Sequence, residues 1–119
     1  MTQQERDSAF QQAEAARVAG NYEAAQPIYE RILADAPDFA PAHAGFCHCL
    51  LNTGFFDESL EAFRTAVDLT PNDVRALLTY GKALCMLGMY DDAKAQFERV
   101  LEIDPDNDDA SEQMLYFTD

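Results

Sequence analysis

The chain has 119 residues, 48% of them hydrophobic, and its 22 acidic side chains against 8 Lys and Arg leave a formal net charge of −14. That field repels nucleic-acid phosphates and anionic lipid, and the longest apolar runs, Leu50-Leu51 and Met114 to Phe117, are far too short to cross a bilayer. The expectation is a protein with neither a nucleic-acid partner nor a membrane span, of a length that suits one domain (1–119) with a core of its own. The opening residues carry neither the positive cluster nor the apolar stretch of a secretory signal, and Cys47, Cys49 and Cys85 make an odd count; both features point to the cytoplasm.

In chain order, Thr2 with Glu5 makes a capping box that starts a first helix near residue 3. Gly20, Gly54 and Gly88 then recur every 34 residues, and Pro37, Pro71 and Pro105 keep the same period. So do the columns Tyr22, Phe56, Tyr90; Ala25, Ser59, Ala93; Tyr29, Phe63, Phe97; and Leu33, Val67, Leu101. Between each proline and the next glycine lie apolar residues at helical spacing, such as Ala42, Phe46, Leu50 and Leu77, Tyr80, Gly81, Leu84. After each glycine comes a second amphipathic stretch, as in Tyr90, Ala93, Phe97, Val100 and Leu101. Glycine suits the end of the first helix because it adopts positive φ without a Cβ clash, and proline closes the second because it cannot continue the backbone ladder. Each period is thus a helix hairpin: repeat one at 6–39, repeat two at 40–73 and repeat three at 74–107. Pro27 falls inside a second helix and is expected to kink it. Residues 108–119 match only a first helix, Ala110 with Ala42 and Ala76 and Met114 with Phe46 and Tyr80, and form a capping helix. The result is an all-α protein of seven helices. The last can bury the side holding Met114 and Leu115, while Phe117 lacks a second helix to pack against.

Cys47-His48-Cys49, with His43 a turn earlier and Cys85 elsewhere, offers ligand types that zinc accepts. On a helix, however, residues two apart point ~200° apart, so both cysteines cannot face one ion. Asp104, Asp106 and Asp108 alternate as in a calcium loop, but Asp109 and Leu115 occupy the positions that need glycine and a bidentate glutamate. These acids fit better in the turn before a helix. No phosphate-binding glycine loop, nucleophile elbow or spaced histidine–carboxylate pair occurs, so no catalysis, cofactor or metal is expected.

The units Gly20-Asn21-Tyr22, Gly54-Phe55-Phe56 and Gly88-Met89-Tyr90, closed by Asp35-Ala36-Pro37, Leu69-Thr70-Pro71 and Ile103-Asp104-Pro105, resemble the tetratricopeptide repeat. The resemblance implies a right-handed α-solenoid of antiparallel hairpins, a superhelix whose first helices line a concave groove. It departs from the family pattern at Ala9 and His43, where a larger residue is usual and looser packing is expected. One subclass of the family grips the carboxylate tails of heat-shock chaperones with basic side chains and asparagines. Here those sites hold Phe10, Glu14, Gly45, Arg75 and Thr79, of which only Arg75 fits, so chaperone tails are not the expected partner.

First-helix residues free of packing should line the groove: Phe10, Gln11, Glu14 and Arg17; Ala44, Gly45, His48, Leu51 and Asn52; Arg75, Leu78, Thr79, Lys82, Cys85 and Met86. Glu14 is the one acid among them, so the groove is expected to be neutral to positive, with space at its centre over Ala44 and Gly45. The expected partner is a protein or peptide with an apolar anchor and an acidic group or C-terminal carboxylate. Two other roles compete: self-association, as a homodimer, through Tyr116 and Phe117, and service as a regulatory fragment of a larger protein.

Overall fold

The computed structural model describes residues 1–117, and among them it contains seven α-helices, one 3-10 turn and no strand. The helices are α1 (Gln3–Val18), α2 (Tyr22–Asp35), α3 (Ala40–Asn52), α4 (Phe56–Leu69), α5 (Val74–Met86), α6 (Tyr90–Ile103) and α7 (Asp108–Met114), followed by the 3-10 turn Leu115–Phe117. Backbone contacts gather them into two compact units, Met1–Leu69 and Thr70–Asp119.

The glycine column does what its spacing predicts. Gly20, Gly54 and Gly88 have φ of 83°, 90° and 76°, with open space where a Cβ would stand, so backbone conformation and not crowding selects glycine. Each turn closes with the same bond from the residue after the glycine back into the helix: Asn21 N to Ala16 O at 2.8 Å, Phe55 N to Leu50 O at 2.9 Å and Met89 N to Leu84 O at 2.9 Å. That bond satisfies a helix-end carbonyl and reverses the chain within a few residues. Side chains cap helices at both kinds of turn, Asn21 on α2 after a glycine and Asp73 and Asn107 on α5 and α7 after a proline, while Thr2 and Glu5 form the expected capping box on α1.

In the first unit, Ala9 and Ala13 of α1 let α2 approach closely, and Ala25, Tyr29 and Ile32 fill the contact. Phe10 sits edge-on to Tyr29 and to Phe39, and the Arg6 guanidinium lies 5.0 Å from the Phe39 ring centre. In the second helix pair, α3 and α4, Ser59 stands where the other repeats have Ala; it is fully buried and its hydroxyl donates to the Cys47 carbonyl at 3.0 Å. α2 runs unbroken through Pro27. Pro27 and Glu23, whose carbonyl loses its intrahelical donor, are both exposed, so water can take the missing bond.

In the second unit, Leu77, Tyr80, Gly81 and Leu84 of α5 pack on Ala93, Phe97 and Val100 of α6, and α7 adds Ala110. Burying a side chain such as Phe97 contributes roughly 1.5–3 kcal/mol. The end of the chain departs from expectation. Leu115 is 68% exposed, whereas Phe117 turns inward, its ring 6.1 Å from that of Phe97. The helix tightens to three residues per turn at Leu115, which eclipses positions three apart and puts Phe117 on the Met114 side. Thr118 and Asp119, the end of the expected capping helix, lie outside the described residues.

Candidate functional site

In the first unit the candidate residues divide between packing and surface. Phe10 is half-buried in its aromatic contacts, and Gly45 and Leu51 are buried. The expected space over Gly45 is occupied: a Cβ there would stand 2.3 Å from the Tyr29 ring, so this glycine seats the ring and opens no gap. Gln11 and Asn52 are exposed, with the Asn52 amide donating to the His48 carbonyl at 2.8 Å. Ala44 and His48 are half-buried, and the His48 ring meets Phe63 edge-on at 6.1 Å.

Glu14 and Arg17, one turn apart on α1, converge on Tyr29. The tyrosine hydroxyl donates to Glu14 Oε1, Arg17 Nη2 donates to Glu14 Oε2 at 2.6 Å, and Arg17 Nε is shared between Glu14 Oε1 and the Tyr29 hydroxyl, each at 3.3 Å. The hydrogen bonds that Arg17 donates to Glu14 hold it still more firmly protonated, while burial, followed by Glu14, pushes the Tyr29 phenol above its ordinary value. Arg17 is therefore matched by a carboxylate and adds no free positive charge to this face. Beneath the same surface, burial pushes the Cys49 thiol up to about 11 and the Cys47 thiol higher, which keeps both protonated near neutrality and poor as metal ligands or nucleophiles.

In the second unit Arg75 is exposed. Its backbone N–H is taken by the Asp73 cap, and among the described residues its guanidinium has no ion pair. Leu78 and Thr79 flank it one turn on, both half-buried, the Thr79 hydroxyl donating to the Arg75 carbonyl at 2.8 Å. Lys82 is bound to Asp109 of α7 at 2.7 Å across an exposed surface, so it too is partly neutralised. Cys85 is half-buried and Met86 is 70% exposed. Among the described residues no cluster of three or more His, Cys, Asp or Glu is arranged to hold a metal, and no helix is long and apolar enough to cross a membrane.

The family model of the cilia and flagella-associated protein 70 middle TPR-like domain matches residues 10–117. The chain belongs to this TPR-like family. A CTR9 homolog protein from Arabidopsis thaliana is 37% identical over 93 residues, which are 76% of this chain and 8% of that relative. Among solved structures, the first TPR of Spaghetti (RPAP3), bound to the HSP90 peptide SRMEEVD, superposes with a TM-score of 0.87 at 21% identity, covering 98% of this chain and 92% of that one. The first TPR domain of human RPAP3 does so with 0.84 at 21% identity, covering 93% and 87%. At such identities the likeness concerns the fold.

Within this TPR fold, the sequence signal that identifies the Glu14–Arg17 pair is its i, i+3 spacing, at which helical side chains of opposite charge meet. Nothing local marks Tyr29 as their third member, because it lies 12 residues beyond Arg17 on the next helix. Asp109 as the partner of Lys82, 27 residues away, is equally invisible to local pattern.

Proposed function

We propose that this TPR chain is a cytoplasmic protein-interaction module, one domain of three repeats and a capping helix, which receives a peptide or protein segment on the exposed faces of its first helices and has no catalytic role of its own. The observation that carries this reading is the Arg75 cluster on α5: an exposed guanidinium with no ion pair among the described residues, one turn from Leu78 and Thr79. A guanidinium grips a carboxylate with two parallel bonds, while Leu78 and Met86 offer apolar contact, so the partner segment carries an apolar anchor beside an acidic group or a free C-terminal carboxylate. The Spaghetti domain holding an HSP90 peptide supports a peptide as the class of partner. Phe10, Glu14 and Gly45 do not supply the cations of a chaperone-tail clamp, and with Arg17 and Lys82 already paired, Arg75 is, among the described residues, the candidate first-helix cation left to meet a carboxylate.

The test is a titration with a synthetic peptide that has a leucine anchor and a free C-terminal carboxylate, run beside its amidated form. Arg75→Glu should weaken binding of the free acid by ~2 kcal/mol, and Glu98→Gln on α6 should leave it unchanged. Equal binding by parent and Arg75→Glu would remove this surface from consideration. A second reading, self-association, is favoured by the adjacent exposure of Leu115 (68%) and Tyr116 (81%). It places Tyr116, and not the inward Phe117, at the contact, and Tyr116→Ser should then abolish any concentration-dependent mass in sedimentation.

A further inference from the structure

A groove of about 410 Å³ opens in the first unit between the second helices α2 and α4, above α3. It is separate from the first-helix faces considered above. Its floor is apolar: Leu33 of α2 and Phe46 of α3 are partly exposed into it, over the buried Leu50. Its rim is acidic, with Glu30 on one wall and Glu58 and Glu61 on the other, all exposed. None of the side chains lining it is Lys or Arg, and among the described residues Glu58 and Glu61 have no ion pair. At its end, His43 is already committed, its Nε2 lying 2.7 Å from the Pro37 carbonyl.

We infer that this groove is a docking site for a basic, amphipathic segment of another protein, in which an aliphatic or aromatic side chain flanked by Lys or Arg seats on Leu33 and Phe46 while the flanking cations meet Glu30, Glu58 and Glu61. The apolar floor defines the anchor and the rim defines its neighbours. The size fits: the groove lies at the small end of the ~300–1,000 Å³ typical of ligand pockets, enough for one or two side chains. Charge complementarity decides the occupant against a second copy of this chain, because two molecules of net charge −14 would bring like-charged rims together. It equally separates this partner from the acid-bearing segment that suits Arg75.

The experiment uses the 15N-labelled chain and, as probe, a short amidated peptide of alternating leucine and lysine, with oligolysine and a leucine–glutamate peptide as comparators. The expected result is amide shifts centred on Leu33, Phe46, Glu58 and Glu61. The Glu58→Lys, Glu61→Lys double variant should weaken the leucine–lysine probe about tenfold, the milder Glu58→Gln, Glu61→Gln pair should fall between it and the parent, and Arg75→Glu should leave it unchanged. Equal affinity for oligolysine would mean that net charge alone binds the probe, and shifts scattered away from the groove, or undiminished binding by both double variants, would equally overturn the assignment. So would sedimentation of the parent as a dimer that the charge-reversed variant loses, since a second copy would then be the occupant.

Discussion

Tyr29 of α2 and Phe97 of α6 occupy the same repeat column, and each ring lies against a glycine of a first helix, yet their surroundings differ. Phe97 faces Gly81 of its own hairpin and is joined by Phe117, a wholly apolar arrangement. Tyr29 faces Gly45 of the following hairpin, and its hydroxyl draws Glu14 and Arg17 into a half-buried network. The tyrosine oxygen thus adds a third member to a pair that the second unit lacks, since Lys82 and Cys85 stand there in the columns of Glu14 and Arg17. In the first unit Arg17 is matched by a carboxylate and by tyrosine, whereas in the second, among the described residues, Lys82 finds an exposed acid and Arg75 finds none. A repeat can keep its packing column and still change what its surface offers a partner.

The contrast is broken most severely at the glycines. Gly45→Ala would put a Cβ 2.3 Å from the Tyr29 ring, and Gly81→Ala one 2.7 Å from the Phe97 ring. Neither ring can swing away, since both are fully buried. Urea unfolding should show losses of about 2–3 kcal/mol for Gly45→Ala and about 1–2 for Gly81→Ala; equal, negligible losses would mean the two rings are loosely seated.

Next in size is Tyr29→Phe, which makes the first unit resemble the second. It removes the hydroxyl but keeps the Glu14–Arg17 pair, and should cost about 1–2 kcal/mol because Glu14 loses a buried donor. If the variant is as stable as the parent, the network is incidental. The raised phenol sharpens the same test with pH. Tyr29 stays protonated in the folded chain at pH values where the unfolded chain has begun to lose that proton, so its contribution is full below the ordinary 10.0 and declines as pH rises above it. The stability gap between parent and Tyr29→Phe should accordingly narrow above about pH 10 in thermal melts, and a gap that widens there would reverse the sign.

The smallest effect belongs to the exposed pair of the second unit. Lys82→Ala or Asp109→Asn should change stability by no more than about 0.5 kcal/mol, and less in high salt. A larger loss would mean that the lysine anchors α7, and would bring the two units closer in behaviour than their geometry implies.

Much of the architecture was legible in the residues because it depends on local chemistry. A glycine at positive φ, a side-chain cap and a run of apolar residues at steps of three and four each act within a turn or two of chain, and a 34-residue period repeats them. The surface was less legible. Expecting Gly45 to open a space follows from glycine's size, but a missing side chain is as readily filled by a neighbouring ring. Expecting Phe117 to be stranded follows from continuing an α-helical count, which the 3-10 turn interrupts.

The sequence by itself therefore determined the seven helices, their turns and their apolar faces, since these follow from backbone preferences and periodicity inside each segment. Only the tertiary structure decided which charges remain available and where an apolar floor stays open, because pairing Arg17 with Tyr29, pairing Lys82 with Asp109 and exposing Phe46 between α2 and α4 all depend on residues brought together from different helices. Electrostatic and packing energies act through space over a few ångströms, and nothing in the local chain pattern encodes those distances.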